Sequence, residues 1–276
     1  MKPSVSISTY VPKFAPITLQ SSSITAFEEN CAKAREAGYK GVDLFINEKT
    51  EEEIEQIGTI LERYELKVAM LICIYLAERG VNLTYPDEQK RIDACRIYTR
   101  EMSLAHRLHA ATMPIGLIRG KYMQDDTPEA YEIRLADSCR RLAEGAEWNG
   151  IKLCIEPINR YEIDTLNRVD QTLEFIQRYS LDNIYIVPDL FHMNIEDRDI
   201  CQALELAGDR VAHMHVSDSN RRAPGMGHLN YEEILSTLKK IGYQGYLTLE
   251  TLNFGETERT LVQGAQHLNR VINSLE

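Results

Sequence analysis

The feature that most restricts the fold is an alternation repeated eight times along 276 residues. Short runs rich in apolar and β-branched residues fall at 5–8, 41–45, 67–74, 112–116, 151–156, 184–189, 211–216 and 246–250. Amphipathic segments with helical spacing fall between and after them, at 24–37, 50–64, 87–108, 128–148, 169–179, 196–207, 231–241 and 256–275. A helix between two strands returns the chain to the same end of the sheet, so alternation implies parallel strands. Eight such units within a length near the usual ~250 residues imply a closed (β/α)8 TIM barrel, one domain spanning 1–276, and not an open doubly wound sheet. Neither a G-x-G-x-x-G after the first run nor a phosphate-binding G-x-x-x-x-G-K-[ST] loop occurs, which removes the usual open-sheet nucleotide signatures.

Local punctuation agrees. Thr127, Pro128 and Glu129 read as a helix cap, a first-turn proline and an acid that favours the helix dipole. Gly38, Gly150 and Gly242 stand between helical patterns and strands, where a left-handed residue is wanted. The segments EAGYKGVDLF and KIGYQGYLTL share one helix–Gly–Tyr–x–Gly–strand pattern. The six cysteines, at 31, 73, 95, 139, 154 and 201, form no C-x-x-C pair and read as isolated thiols in a reducing compartment. The first ten residues hold one lysine and no apolar core, unlike a secretory signal, and no run reaches the ~18 apolar residues of a membrane span. These features point to a cytoplasmic protein without a membrane partner. A net charge of −11 argues against affinity built on neutralising phosphates, hence against nucleic acid, and favours small neutral ligands.

Catalytic groups in such barrels sit at the C-terminal ends of strands. The last four runs end in Glu156 (LCIEPINRYE), Asp189 (IVPDLFHMNIE), His215 (HMHVSDSNR) and Glu250 (LTLET). Three carboxylates converging on one side of the mouth repel unless a positive group lies between them. Three carboxylate oxygens and one imidazole suit Mn²⁺, Mg²⁺ or Co²⁺. Taken singly, a Glu at a strand end equally well caps the next helix. His213 shares the face of His215 by the period of two and stays open as the imidazole ligand; His215 lies nearer the strand end.

The motifs EPINRYE, DLFHMNIE, HMHVSDSNR with PGMGHLNYEEI, and GYQGYLTLE, with LTYPDEQKR before the third helix, resemble the sugar isomerase/epimerase family with xylose isomerase-like barrels. Within it they are most similar to the D-tagatose 3-epimerase (D-psicose 3-epimerase) group, closely over about residues 150 to 250. The resemblance implies 3-epimerisation of a free ketose through a cis-enediolate. Glu156 and Glu250 would be acid and base as well as metal ligands, and Asp189 and His215 would complete the site. Glu162, His192 and Arg221 would hold oxygens at the C1 to C3 end. It also implies Mn²⁺ before Mg²⁺ or Co²⁺, and a homodimer or homotetramer. By themselves, Arg160 with Glu162 read as a surface ion pair, and Arg221 as a solvated loop residue.

Three places depart from the family pattern. Met226 replaces the acid of a P-G-E-G loop, Tyr75 follows ICI where a small residue is usual, and the long segment 11–23 carries Phe14 and Pro16 and is expected to cover the site. All three are expected to shape the far end of the sugar pocket. Cys73, next to the Tyr75 position, is expected to approach the substrate. Competing readings are an aldose–ketose isomerase or keto-glycoside epimerase on the same metal, an endonuclease IV-like phosphodiester hydrolase, and a non-catalytic sugar-binding barrel.

Overall fold

A computed structural model describes residues 1–13 and 15–275. Among them, eight strands form one parallel sheet: β1 (Lys2–Ser8), β2 (Gly41–Phe45), β3 (Lys67–Ile72), β4 (Thr112–Ile115), β5 (Lys152–Ile155), β6 (Ile184–Ile186), β7 (Met214–Val216) and β8 (Tyr246–Leu249). The helices are α1 (Ile24–Glu36), α2 (Glu51–Arg63), α3 (Tyr75–Glu78), α4 (Glu88–Arg107), α5 (Pro128–Trp148), α6 (Val169–Arg178), α7 (Leu190–Glu196), α8 (Ile200–Ala207), α9 (Tyr231–Lys240) and α10 (Thr257–Ser274). None among the described residues is long and apolar enough to cross a membrane.

The sheet runs β6-β5-β4-β3-β2-β1-β8-β7. Its two ends meet through single parallel bridges, Ile186 to Val211 and Asp189 to His215, so the TIM barrel expected from the alternation is closed. Side chains alternate across the strands. Val5, Ile7, Val42, Leu44, Met113, Ile115, Leu153 and Ile155 belong to the apolar layer under the helices. The intervening positions turn inward, and there Ser4, Ser6, Asp43, Thr112, His213, His215 and Thr248 make a polar, fully enclosed barrel centre.

The expected helices at 24–37, 50–64, 87–108, 128–148, 169–179, 231–241 and 256–275 form within one or two residues. Thr127 accepts from the Ala130 amide as a cap, and Gly38, Gly150 and Gly242 take φ of 97°, 68° and 79°. Other boundaries shift for local reasons. The run 184–189 is a strand only to Ile186, because Pro188 has no N–H for the ladder and Asp189 turns to cap α7, accepting from Phe191 N at 2.7 Å. The run 67–74 stops at Ile72, and Tyr75 opens α3. The helix expected from 196 begins at Ile200, capped by Asp199; Glu196 instead ends α7, a seven-residue helix that the sequence reading lacks.

Between α7 and α8, Asp197 accepts from Val169 N at 3.3 Å through one oxygen while its other oxygen is buried without a partner. Burial above all, with Asp170 and Glu196 adding repulsion, pushes this carboxyl up to about 6. A carboxyl raised on folding costs stability once the pH exceeds its unfolded pKa, and the full cost is present above the folded one. Asp197→Asn should therefore stabilise the chain by about 1–2 kcal/mol above pH ~6, after allowance for solvent screening. The gain should vanish below pH ~4, as read by urea unfolding across that range.

Candidate active site

Each residue expected at the mouth is seated by the ladder that ends beside it. Glu156 N donates to Ile115 O at 3.3 Å, His215 N to Pro188 O at 3.0 Å, and Glu250 N to Val216 O at 3.0 Å. Asp189 reaches the same place as the cap of α7. One ligating atom from each of Glu156, Asp189, His215 and Glu250 lies within 4.8 Å of the others. His215 Nδ1 is 3.1 Å from Glu156 Oε1 and 3.7 Å from Glu250 Oε2. Gly116 makes room for the set, since a Cβ there would stand 3.1 Å from Glu156 Oε2.

The electrostatics follow from burying three acids together. Burial, with Asp189 and Glu156 adding repulsion, pushes the Glu250 carboxyl up to about 8 against the pull of His215 and Arg221. Burial also opposes ionisation of Glu156 and Asp189, yet the charges beside them, His215 for Glu156 and Arg221 for Asp189, hold both below the usual range. Asp189 Oδ2 is enclosed with no hydrogen bond; Arg221 Nη2 stands 3.0 Å away without the alignment of one. A donor set short of positive charge, with an orphaned carboxylate oxygen and a glycine-made gap, fits a small divalent cation.

Around this set, the structure places the expected binding residues unevenly. His192, on α7, accepts from Asn159 Nδ2 at 2.7 Å through Nδ1, which leaves its proton on Nε2, directed toward Asp189 Oδ2 at 3.8 Å. Burial, its largest influence, keeps this imidazole neutral by lowering its pKa. Asn159 also donates to Glu162 at 2.8 Å. Glu162 is thus held at the pocket wall, and Arg160 pairs with Glu196, at 2.7 Å, and not with Glu162. Arg221 is buried, stacks 4.6 Å from the Phe191 ring centroid and bonds Glu250 through Nη2, while Nε and Nη1 are enclosed and unpaired. The solvated-loop reading of Arg221 is therefore corrected.

Glu156, Glu162, His192, His215, Arg221 and Glu250 line a cavity of about 490 Å³. Every acidic, imidazole and guanidinium group in its wall comes from β5 to β8 and the segments after them. The wall from the first half is apolar, with Phe45, Ile72, Ile74, Leu117 and Ile118 and a single charged residue, Lys13. Ala15 and Pro16 of the long first loop also line it, as expected of that loop; Phe14 lies outside the described residues. Cys73 is in the wall, but its thiol points to Glu101 Oε2 at 3.6 Å. Two expectations fail. Tyr75 turns behind the wall to bond Glu101 at 3.0 Å, and Met226 packs against the apolar layer, so neither is among the lining residues.

Four residues escaped the sequence reading. Asp43, on β2, accepts from His213 at 2.7 Å and His215 at 3.1 Å, so both imidazoles do share one face. Burial raises the Asp43 carboxyl, and the two histidines outweigh that and lower it. Arg119, fully buried, donates to the carbonyls of Gly116, Glu156 and Thr165 at 2.9–3.1 Å and so fixes the backbone under Glu156. Asn159 aims His192. Asp218 accepts from the amides of Ser219, Gly225 and Leu229 at 2.8, 2.8 and 3.2 Å. It thereby folds the loop that holds Arg221 at φ 60°. The available signal was a lone charge inside an apolar strand for Asp43; the other three read as ordinary loop polars.

Comparison with known proteins places this geometry in a lineage. Residues 31–271 match the xylose isomerase-like TIM barrel. The chain belongs to that family. A D-psicose 3-epimerase from Ruminiclostridium cellulolyticum is 32% identical over 177 residues, 61% of this chain and 59% of that relative's length. A probable ketose 3-epimerase from Synechocystis is 26% identical over 239 residues, 84% of this chain and 80% of the relative. The fold also matches a solved L-ribulose 3-epimerase with a TM-score of 0.82 at 21% identity, covering 98% of this chain and 95% of that one.

Removing the Asp218 carboxylate takes the acceptor from three partly buried amides. Asp218→Ala should lower stability by about 2–4 kcal/mol, read by urea unfolding, and expose the 217–230 loop to limited proteolysis.

Proposed function

We propose that this chain is an isomerase-class enzyme, a metal-dependent sugar epimerase that inverts C3 of a free ketose. One observation carries the reading: two carboxylates, Glu156 and Glu250, converge from β5 and β8 on one cavity, within 4.8 Å of the same imidazole and third acid. The named 3-epimerases among its relatives support it.

A divalent cation held by Glu156, Asp189, His215 and Glu250, Mn²⁺ first and Mg²⁺ or Co²⁺ as alternatives, supplies Lewis-acid stabilisation of the oxyanion that forms as C3 loses its proton. The rest falls to the chain. One glutamate takes the C3 proton and the other returns a proton to the opposite face, so the carbon inverts through a cis-enediolate without a redox cofactor. The unpaired Nε and Nη1 of Arg221 and the Nε2–H of His192 donate to the oxygens near C1 to C3, and Glu162 accepts from a hydroxyl. The thiol of Cys73 faces Glu101, so this residue shapes the wall without a polar contact to sugar. The apolar first-half wall favours an unphosphorylated ketose, because a phosphate dianion there would lose its hydration with only Lys13 to receive it.

The test is a panel of ketoses in D₂O with Mn²⁺, followed by NMR. Exchange at C3 is expected. Exchange at C1 or C4 instead would replace this reading by an aldose–ketose isomerase or a keto-glycoside epimerase. Glu156→Gln and Glu250→Gln should each slow exchange by about 10²–10⁴-fold. If no sugar exchanges and neither variant alters metal or sugar binding, the barrel is not this enzyme.

Metal uptake should depend on pH with a definite sign. The Glu250 carboxyl, pushed up to about 8, keeps its proton below that pH, and a cation must displace it. Burial opposes charge on the His215 ring, yet the surrounding carboxylates hold it protonated above its usual range. It must lose a proton too, so Mn²⁺ affinity should rise with pH and binding should release protons, measured by calorimetry in buffers of different ionisation enthalpy.

A further inference from the structure

We propose that Asp43, on the opposite half of the barrel from the metal-binding strand ends, is the positioning residue that presents His215 Nδ1 to the cation. The inference rests on the metal site proposed above and adds a residue that sequence reading did not single out.

The hydrogen bonds show which nitrogen of His215 keeps its proton when a cation binds. An ionised carboxylate only accepts, so the Nε2 atoms that approach Asp43 Oδ2, from His213 at 2.7 Å and His215 at 3.1 Å, are both donors. For His215, a proton held on Nε2 makes Nδ1, the atom that faces Glu156 at 3.1 Å and Glu250 at 3.7 Å, the nitrogen whose lone pair is offered to a cation. Without a cation Nδ1 shares a proton with Glu156; a cation between the same groups takes that proton's place. A carboxylate that fixes tautomer and ring orientation from the far side of a ligating histidine is a recurrent way of strengthening metal sites.

Asp43 is itself held. Its second oxygen accepts from Thr248 Oγ1 at 2.9 Å, and Thr248 Oγ1 lies 3.0 Å from His213 Nε2. The carboxylate cannot swing without breaking contacts to β7 and β8 together. Stability alone does not account for such a residue. Asp43 has no exposed surface and sits in a strand whose other members are Gly, Val, Leu and Phe. Burying a carboxylate and two imidazoles in the barrel centre is costly, and well-packed apolar side chains commonly do as well or better. The arrangement makes sense as support for a demanding ligand above it.

The test uses the full chain, with Mn²⁺ as probe. Wild type is expected to bind one Mn²⁺, and its His215 ring should show the Nε2–H tautomer by ¹⁵N NMR in protein loaded with diamagnetic Mg²⁺. Asp43→Asn can offer an amide N–H to Nε2, which favours the opposite tautomer, and Mn²⁺ affinity should fall about 10–100-fold. Thr248→Val removes the hydroxyl that holds Asp43 and borders His213 and should weaken Mn²⁺ several-fold in a chain that still melts as wild type; it carries the test if Asp43→Asn fails to fold. Equal Mn²⁺ affinity in wild type and folded variants would overturn the role of Asp43 and leave the metal site standing. Two Mn²⁺ in wild type, one of them lost in Asp43→Asn, would overturn it too, making Asp43, His213 and His215 a second cation site. Absence of Mn²⁺ binding by wild type would sink the proposed metal site itself.

Discussion

The barrel is closed by the residues of its candidate site. Six strand pairs zip through ladders of three or more residue pairs and β3 meets β4 at Met70–Thr112, but the eighth seam has no ladder and consists of single bridges, of which the one at the mouth joins Asp189 to His215. Pro188 contributes to this seam only a carbonyl, which accepts from His215 N, and Asp189 leaves the strand at once to cap α7. Two of the four converging groups are therefore placed by backbone pairing, whose geometry is fixed more tightly than that of any loop. His192, one helical turn on, inherits its position from the same cap.

Beneath the mouth, one side of the barrel centre is polar, facing an apolar set that includes Met70, Ile72, Cys154 and Val187, where most barrels of this kind are filled with branched apolar side chains throughout. Inward positions of β1, β2, β7 and β8 carry Ser6, Asp43, His213, His215 and Thr248, and Ser6 with Thr18 bonds the carbonyl of Leu249, the residue before Glu250. His213 and His215 donate to Asp43, as does Thr248, across neighbouring and facing strands. The layer passes orientation upward, so the side chains at the mouth are aimed by contacts that solvent and ligand never touch.

Much of this was legible in the sequence, for identifiable reasons. Alternating βα periodicity is a strong signal, and chemically distinctive residues at four consecutive strand ends carry their meaning with them. Asp189 and His215 stood out because a strand end is where an acid or imidazole is conspicuous. Asp43 did not, because its value depends on what lies across the barrel, and no local pattern records a partner 170 residues away. Arg119 stayed hidden for a similar reason: it serves backbone carbonyls of segments remote in sequence. The mistakes about Tyr75 and Met226 have a common cause, since distance from a strand end along the chain says little about which way a short helix or a glycine loop turns its side chains.

The cavity wall divides along the chain, with charged and hydrogen-bonding groups supplied by residues after 150 and a mainly apolar lining supplied by residues before 120. Bond-making and shape are thus written on separate stretches of one polypeptide. A lineage can exchange the early stretch, widening or narrowing the space a ligand occupies, while the later stretch keeps its geometry. In such a barrel, a change of shape in the first half leaves the reactive groups of the second half on their own strand ends.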